Sequence, residues 1–241
     1  MAEVKQYSLA ELLRVMQRLR DPQSGCPWDL KQDFSTIAPS TLEEAYELVA
    51  AIEHEDFDHI REELGDVLFQ VIFYAQMGSE EGRFDFADIV HTLVEKLVRR
   101  HPHVFGGGDI EGQVDGPSSI AGVKESWEAI KQQERNARDQ SGVLDDVPLA
   151  LPALSRAQKV QKRASRVGFD WNSAEEVLEK VDEELAEFRD VVAGEQGQEQ
   201  REEELGDLLF TCVNLARHSG IDAEAALRRA TQKFEQRFSY I

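Results

Sequence analysis

Cysteine is nearly absent, with Cys26 and Cys212 the only two among 241 residues. There is no C-x-x-C pair, and a bridge would have to join the two halves of the chain. A reduced, cytoplasmic protein is therefore the expected setting. Long apolar runs are missing too, and none approaches the ~20 residues of a membrane-spanning helix. The start, with Glu3 and Lys5, lacks the basic-then-apolar order of a secretory leader. Positive charge is scarce. Against 47 Asp and Glu stand 27 Lys and Arg, a net charge of −20, which argues against holding a nucleic acid polymer on a basic face. A free nucleotide is not excluded, because metal ions bridge carboxylates to phosphates. No strand-turn-strand pattern occurs, so the expected fold is all-α.

What the chain has instead is an acidic pattern that occurs twice. Glu43-Glu44-x-x-Glu47 is followed by Glu62-Glu63-Leu-Gly-Asp66; later, Glu183-Glu184-x-x-Glu187 is followed by Glu203-Glu204-Leu-Gly-Asp207. Residues three or four apart share a helix face, so two adjacent helices would bring four or five carboxylates together. Two carboxylates ~6 Å apart repel by roughly 3 kcal/mol at an effective dielectric of ~20. Magnesium, a hard cation that prefers oxygen ligands, is the expected occupant. A single such motif is usually a solvated helix face. Here Asp66 and Asp207 each precede an apolar run, where an uncompensated carboxylate is costly.

Helical spacing recurs along the chain. Leu9, Leu12, Leu13, Met16 and Leu19 predict a helix over 8–20, with Ser8 as N-cap and Glu11 in capping-box position. Asp21-Pro22 to Gly25 ends it. A second helix is expected from Ser40 or Thr41, carrying Leu42, Ala45, Tyr46 and Val49 inward. A third begins near Phe57 and runs through Val67 to Ala75, a stretch apolar almost all round, so the helix is expected to be buried between others. A fourth spans 84–101 and ends in Lys96, Arg99 and Arg100, where cations suit the helix dipole. His101-x-His103 reads as its terminating turn. Residues 104–122 form a Gly-rich loop that lacks the Lys-Ser/Thr of a phosphate cradle. A short helix is expected over 123–137. We place a first domain at 1–138, a linker at 139–152 and a second domain at 153–241, a duplicated helical module.

The order of Trp, acidic cluster, acidic cluster and basic pair resembles the MazG-type nucleoside triphosphate pyrophosphohydrolases. Gly25-Cys-Pro-Trp28-Asp29, His101-Pro-His103-Val-Phe105 and the tandem arrangement match two-domain bacterial members. The resemblance implies helical bundles completed by homodimerisation. It also implies a need for Mg²⁺ (with Mn²⁺ a possible substitute) and hydrolysis of nucleoside triphosphates to monophosphate and pyrophosphate. Glu183, Glu184, Glu187, Glu204 and Asp207 then match metal ligands, as do Glu43, Glu44, Glu47, Glu63 and Asp66. Lys180 matches a phosphate contact, with Ser40 in its place in the first half. Lys233 with Arg237, and Lys96 with Arg100, match the triphosphate-binding basic pair. Glu184 or Glu44 is the expected proton acceptor. Trp127 and Lys131, four apart, are spaced to stack on a base and reach a phosphate. Trp28 and Trp171 either line the nucleotide pocket or pack as hinges. The family usually carries a further Trp/Lys tail, whereas this sequence stops at Ile241. Either the tail is short or base recognition differs there. A narrower pyrophosphohydrolase (for dUTP, dCTP or phosphoribosyl-ATP) and a non-enzymatic acidic regulator are the alternatives.

Overall fold

The computed structural model describes residues 6–112, 119–136, 142–194 and 196–240. Ser8 starts the first helix, α1 (Leu9–Leu19), as its sequence dictates. The Ser8 hydroxyl accepts the Glu11 N–H at 3.3 Å, and the Glu11 carboxylate accepts the Ser8 N–H at 2.9 Å. Both reciprocal bonds satisfy donors that a helix start leaves open.

The second helix, α2 (Phe34–Glu53), begins earlier than Ser40. Asp33 caps it, accepting the N–H groups of Ser35 and Thr36, while the Thr36 hydroxyl accepts the Asp33 N–H at 2.8 Å. Pro39 lies within it and forgoes one ladder bond. Its inward face also differs from expectation. Ile37 and Ala51 are buried, whereas Leu42, Ala45 and Tyr46 are exposed and Val49 is only half-buried.

The third helix, α3 (Phe57–Glu80), carries the core of the first half. Ile72, Phe73 and Met77 are buried against Met16 and Ile37, with Leu12, Phe34 and Phe86 packed around them. The expectation that α3 is buried on all sides is corrected, because Leu64, Leu68 and Val71 face outward. A period of 3.6 marks an apolar stripe, and this helix has two. α4 (Phe86–Arg100) packs on α3 and leaves Leu93 and Leu97 exposed.

One buried cation locks this half together. Arg20, closing α1, donates through Nε and Nη2 to Glu80 at the end of α3, the shortest bond being 2.7 Å. Burial pushes the Glu80 carboxyl up, but the bonds from Arg20 and Gln76 outweigh it and hold the pKa below its ordinary value. Arg20→Met is expected to destabilise the protein by about 2 kcal/mol, reduced from the value for a fully buried pair because Glu80 is one-third exposed. The depressed Glu80 pKa means that its contribution is present above the ordinary carboxylate range. It is lost as pH falls through the folded value. The gap between the thermal melts of the two proteins should therefore narrow on acidification; a gap that stays constant with pH would refute this account.

Residues 113–118 of the Gly-rich loop lie outside the described residues, as do 137–141 of the end of the expected helix and the start of the linker. Between them runs α5 (Ile120–Asn136), starting three residues before the expected position. The second half comprises α6 (Ala153–Ser165), α7 (Ala174–Ala193), α8 (Gln198–His218) and α9 (Ala223–Phe238). Contacts divide the chain into two units, Met1–Trp127 and Glu128–Ile241. In the second, α7 packs along α8, and α6 packs on α8 and α9. Val177, Val191 and Val213 are buried, while Leu205, Leu209 and Phe210 of α8 are exposed. Side-chain amides of α6 hold the arrangement: Gln161 donates to the Phe210 carbonyl at 2.8 Å, and Gln158 spans Ile221 O and Ala223 N.

Candidate active site

Two helix pairs, α2 with α3 and α7 with α8, are the most extensively packed in their units. Each pair joins one acidic motif to the other. Oxygens of Glu44, Glu63 and Asp66 lie within 4.8 Å of one another, and those of Glu184, Glu204 and Asp207 do the same. The two trios occupy matching repeat positions. The burial pattern corrects one expectation: Asp66 and Asp207 are exposed, and the carboxylates withdrawn from water are Glu63 and Glu184.

That burial has electrostatic consequences. Glu63 Oε1 lies 2.7 Å from His59 Nε2, but the buried Oε2 has no hydrogen-bond partner. Desolvation, followed by the charges of Asp66, Glu47, Glu63 and Glu43, pushes the Glu44 pKa up. Glu204 is raised in the same direction by desolvation and then by Glu187, Asp207, Glu203 and Glu184. Glu43, Glu47 and Glu187 thus stand around the trios, close enough to act on them. Three crowded carboxylates with an unsatisfied buried oxygen form a donor set that fits a hard divalent cation.

The units compensate their charge differently. Lys180 Nζ bonds Glu183 at 3.0 Å and Glu184 at 2.9 Å. Those bonds, Glu184 first, push its pKa above the ordinary lysine value. In the first unit the Lys180 position is Ser40, and the basic neighbour is His59 on Glu63. His59 was missed from the sequence. Its spacing to Glu63, one helix turn, was the available signal.

The other predicted residues are less concentrated. Lys96 and Arg100 are half-buried on α4, which packs on α3. Lys233 and Arg237 are exposed on α9, which packs on α8. Four-residue spacing keeps each pair on one helix face. Trp28 is exposed before a short 3₁₀ turn, Asp29–Lys31, and Trp171 is partly exposed before α7. Trp127 packs against His101, with ring centroids 5.4 Å apart. Lys131 lines a cavity of about 340 Å³ with Lys159, Lys162 and Arg166 of the second unit, a basic wall the sequence reading overlooked. Both cysteines are free.

Comparison with known proteins agrees with this geometry. A family model described as the MazG nucleotide pyrophosphohydrolase domain matches residues 32–105 and again 172–240. The nucleoside triphosphate pyrophosphohydrolase of Escherichia coli K12 is 54% identical over 231 residues, covering 94% of this chain and 84% of that protein. A Thermotoga maritima protein named nucleoside triphosphate pyrophosphohydrolase/pyrophosphatase MazG is 46% identical over 228 residues, covering 95% and 83%. Bacillus subtilis YabN is 45% identical over 227 residues, which are 94% of this chain but 45% of YabN. With two matches to the family model, one on each acidic helix pair, the chain belongs to the MazG nucleotide pyrophosphohydrolase family.

Proposed function

We propose that this chain is a cytoplasmic, homodimeric, Mg²⁺-dependent enzyme that hydrolyses ribo- and deoxynucleoside triphosphates to the monophosphate and pyrophosphate. The observation that carries the reading is the carboxylate trio, present in both units, with a buried, unpartnered oxygen in the first at Glu63 Oε2. Family membership and the names of the Escherichia coli and Thermotoga maritima relatives support the same chemistry.

In the second unit Glu184, Glu204 and Asp207, with Glu183 and Glu187 beside them, would hold the ion; Mn²⁺ has the same preference for oxygen. Bound there, it would lower the pKa of a coordinated water and offset phosphate charge. Water attacks the α-phosphorus, the new P–O bond replaces the bond to the bridging oxygen, and pyrophosphate leaves. Glu184, in the roles we assign, accepts the water's proton. Lys233 and Arg237 neutralise charge that builds on the β- and γ-phosphates. Lys180 orients Glu183 and Glu184 through its two bonds and lies ready for a phosphate oxygen. Glu44, Lys96 and Arg100 hold the corresponding places in the first unit.

The test is product analysis on a panel of nucleoside triphosphates, with Mg²⁺ or with excess chelator. Monophosphate and pyrophosphate in equal amounts, formed only with the metal, are expected. Formation of diphosphate and inorganic phosphate would refute cleavage at the α-phosphorus. No turnover on any substrate would leave the carboxylates as structural ion sites.

A further inference from the structure

Trp171 sits in the turn between α6 and α7, and its main chain is tied down at one atom. Asp170 Oδ1 accepts the Trp171 N–H at 3.0 Å, the His218 Nε2–H at 3.0 Å, and a bond from the Arg217 guanidinium. Arg217 also donates to Asn214 Oδ1, through Nε at 3.0 Å and Nη2 at 2.6 Å, and Asn214 is buried. One carboxylate therefore fastens the Trp171 turn to the last turn of α8. Burial pushes the Asp170 pKa up, and the bonds from Arg217 and His218 outweigh it. The carboxylate is thus kept ionised.

The first unit makes a comparable junction, built on a cation in place of the carboxylate. There the cation comes from the start of the turn. Arg20 donates to the carbonyls of Asp29, next to Trp28, at 2.5 Å and of Gln32 at 3.2 Å, and its other edge grips Glu80 at the end of α3. In both units the tether ends on the helix that carries the second acidic motif. In both, the indole beyond it stays open to solvent, Trp171 at 37% and Trp28 at 58%. Core packing would explain a buried tryptophan; it does not explain a fixed main chain beneath an open ring. A rigid, exposed aromatic face loses little freedom when a flat ligand stacks on it.

We propose that Asp170 is a positioning residue for substrate: it holds the Trp171 main chain on Arg217 and His218 so that the indole forms a preset platform for the nucleobase. The proposal rests on the pyrophosphohydrolase reading. Asp170 itself touches no reacting atom. Its loss should weaken binding and leave the chemical step nearly intact.

The experiment uses the full chain carrying Trp28→Phe and Trp127→Phe, so that Trp171 is the sole tryptophan. Acrylamide quenching reports how firmly the turn is held, and the α,β-methylene analogue of ATP with Mg²⁺ reports stacking. Asp170→Asn is expected to raise acrylamide quenching about twofold and KM about tenfold, with kcat within about threefold. Asp170→Arg should behave like Asp170→Asn or worse. Asp170→Arg combined with Arg217→Glu, which adopts the first unit's polarity, should recover much of both losses. Unchanged quenching in Asp170→Asn would overturn the proposal, as would equal losses in kcat and kcat/KM, or Trp171 emission indifferent to the analogue while hydrolysis proceeds. If the unsubstituted chain, assayed alongside, hydrolyses no triphosphate, the pyrophosphohydrolase reading fails on its own account, and quenching still decides whether the tether exists.

Discussion

Glu204→Gln is expected to lower Mg²⁺-dependent pyrophosphate release by at least ~10³-fold while raising the melting temperature in chelator. The two effects have one origin. Glu204 stands within 4.8 Å of Glu184 and Asp207, and desolvation together with those neighbours lifts its pKa. A carboxyl whose folded pKa is raised adds stability below its unfolded pKa, and that stability is lost as pH rises through the folded value. At neutral pH the metal-free protein therefore carries a penalty that glutamine removes. With saturating Mg²⁺ the order of melting temperatures should reverse, because the variant has lost a ligand. Melting curves with chelator and with metal, run beside the product assay, check all three statements. Glu63→Gln belongs in the same series. If it stops turnover and Glu204→Gln does not, the first unit is the working half and the assignment of Lys180 and Arg237 to catalysis fails.

The second large effect concerns assembly. Leu209→Glu is expected to convert the proposed homodimer to a monomer and to lower turnover about 10²-fold. α8 presents Leu205 and Leu209 to solvent one turn apart, with Phe210 beside them, and α3 presents Leu64, Leu68 and Val71 in the matching place. Soluble proteins rarely leave contiguous apolar surface above a few hundred Å² uncovered. These residues share their helices with the carboxylates: Leu205 follows Glu204, and Leu64 follows Glu63. A second copy seated on that face would exclude water from the side of the helix next to the acidic trio. Sedimentation velocity on both proteins, at the concentration used for the assay, is the check. A monomeric wild type with full activity would end the argument.

Much of this was legible in the sequence because it is local. Ser8 and Glu11 sit three residues apart, and the capping box between them follows from that spacing. The acidic helix pairs were readable for the same reason, since i, i+3 and i, i+4 spacing puts carboxylates on one face. The start of α2 was misplaced by about six residues even though Asp33-x-x-Thr36 carries its capping signal. The outward faces of Leu42 and Leu68 were misread for a different reason. Periodicity reports that a stripe is apolar, and it does so equally for a core and for a surface awaiting a partner. The Asp170 tether was out of reach because its partners lie 47 and 48 residues away. Such pairings follow from the folded topology, and no local pattern announces them.

The differing chemistry of the two tethers limits how freely the repeats can trade parts. A hybrid carrying the second unit's turn on the first unit would bring Asp170 without Arg217 or His218 to receive it, and the reciprocal hybrid would leave Arg217 without its carboxylate. Each would leave a charged group at a half-buried junction without its partner. The two junctions are therefore not interchangeable, and a chimera that trades them is expected to melt below the parent chain.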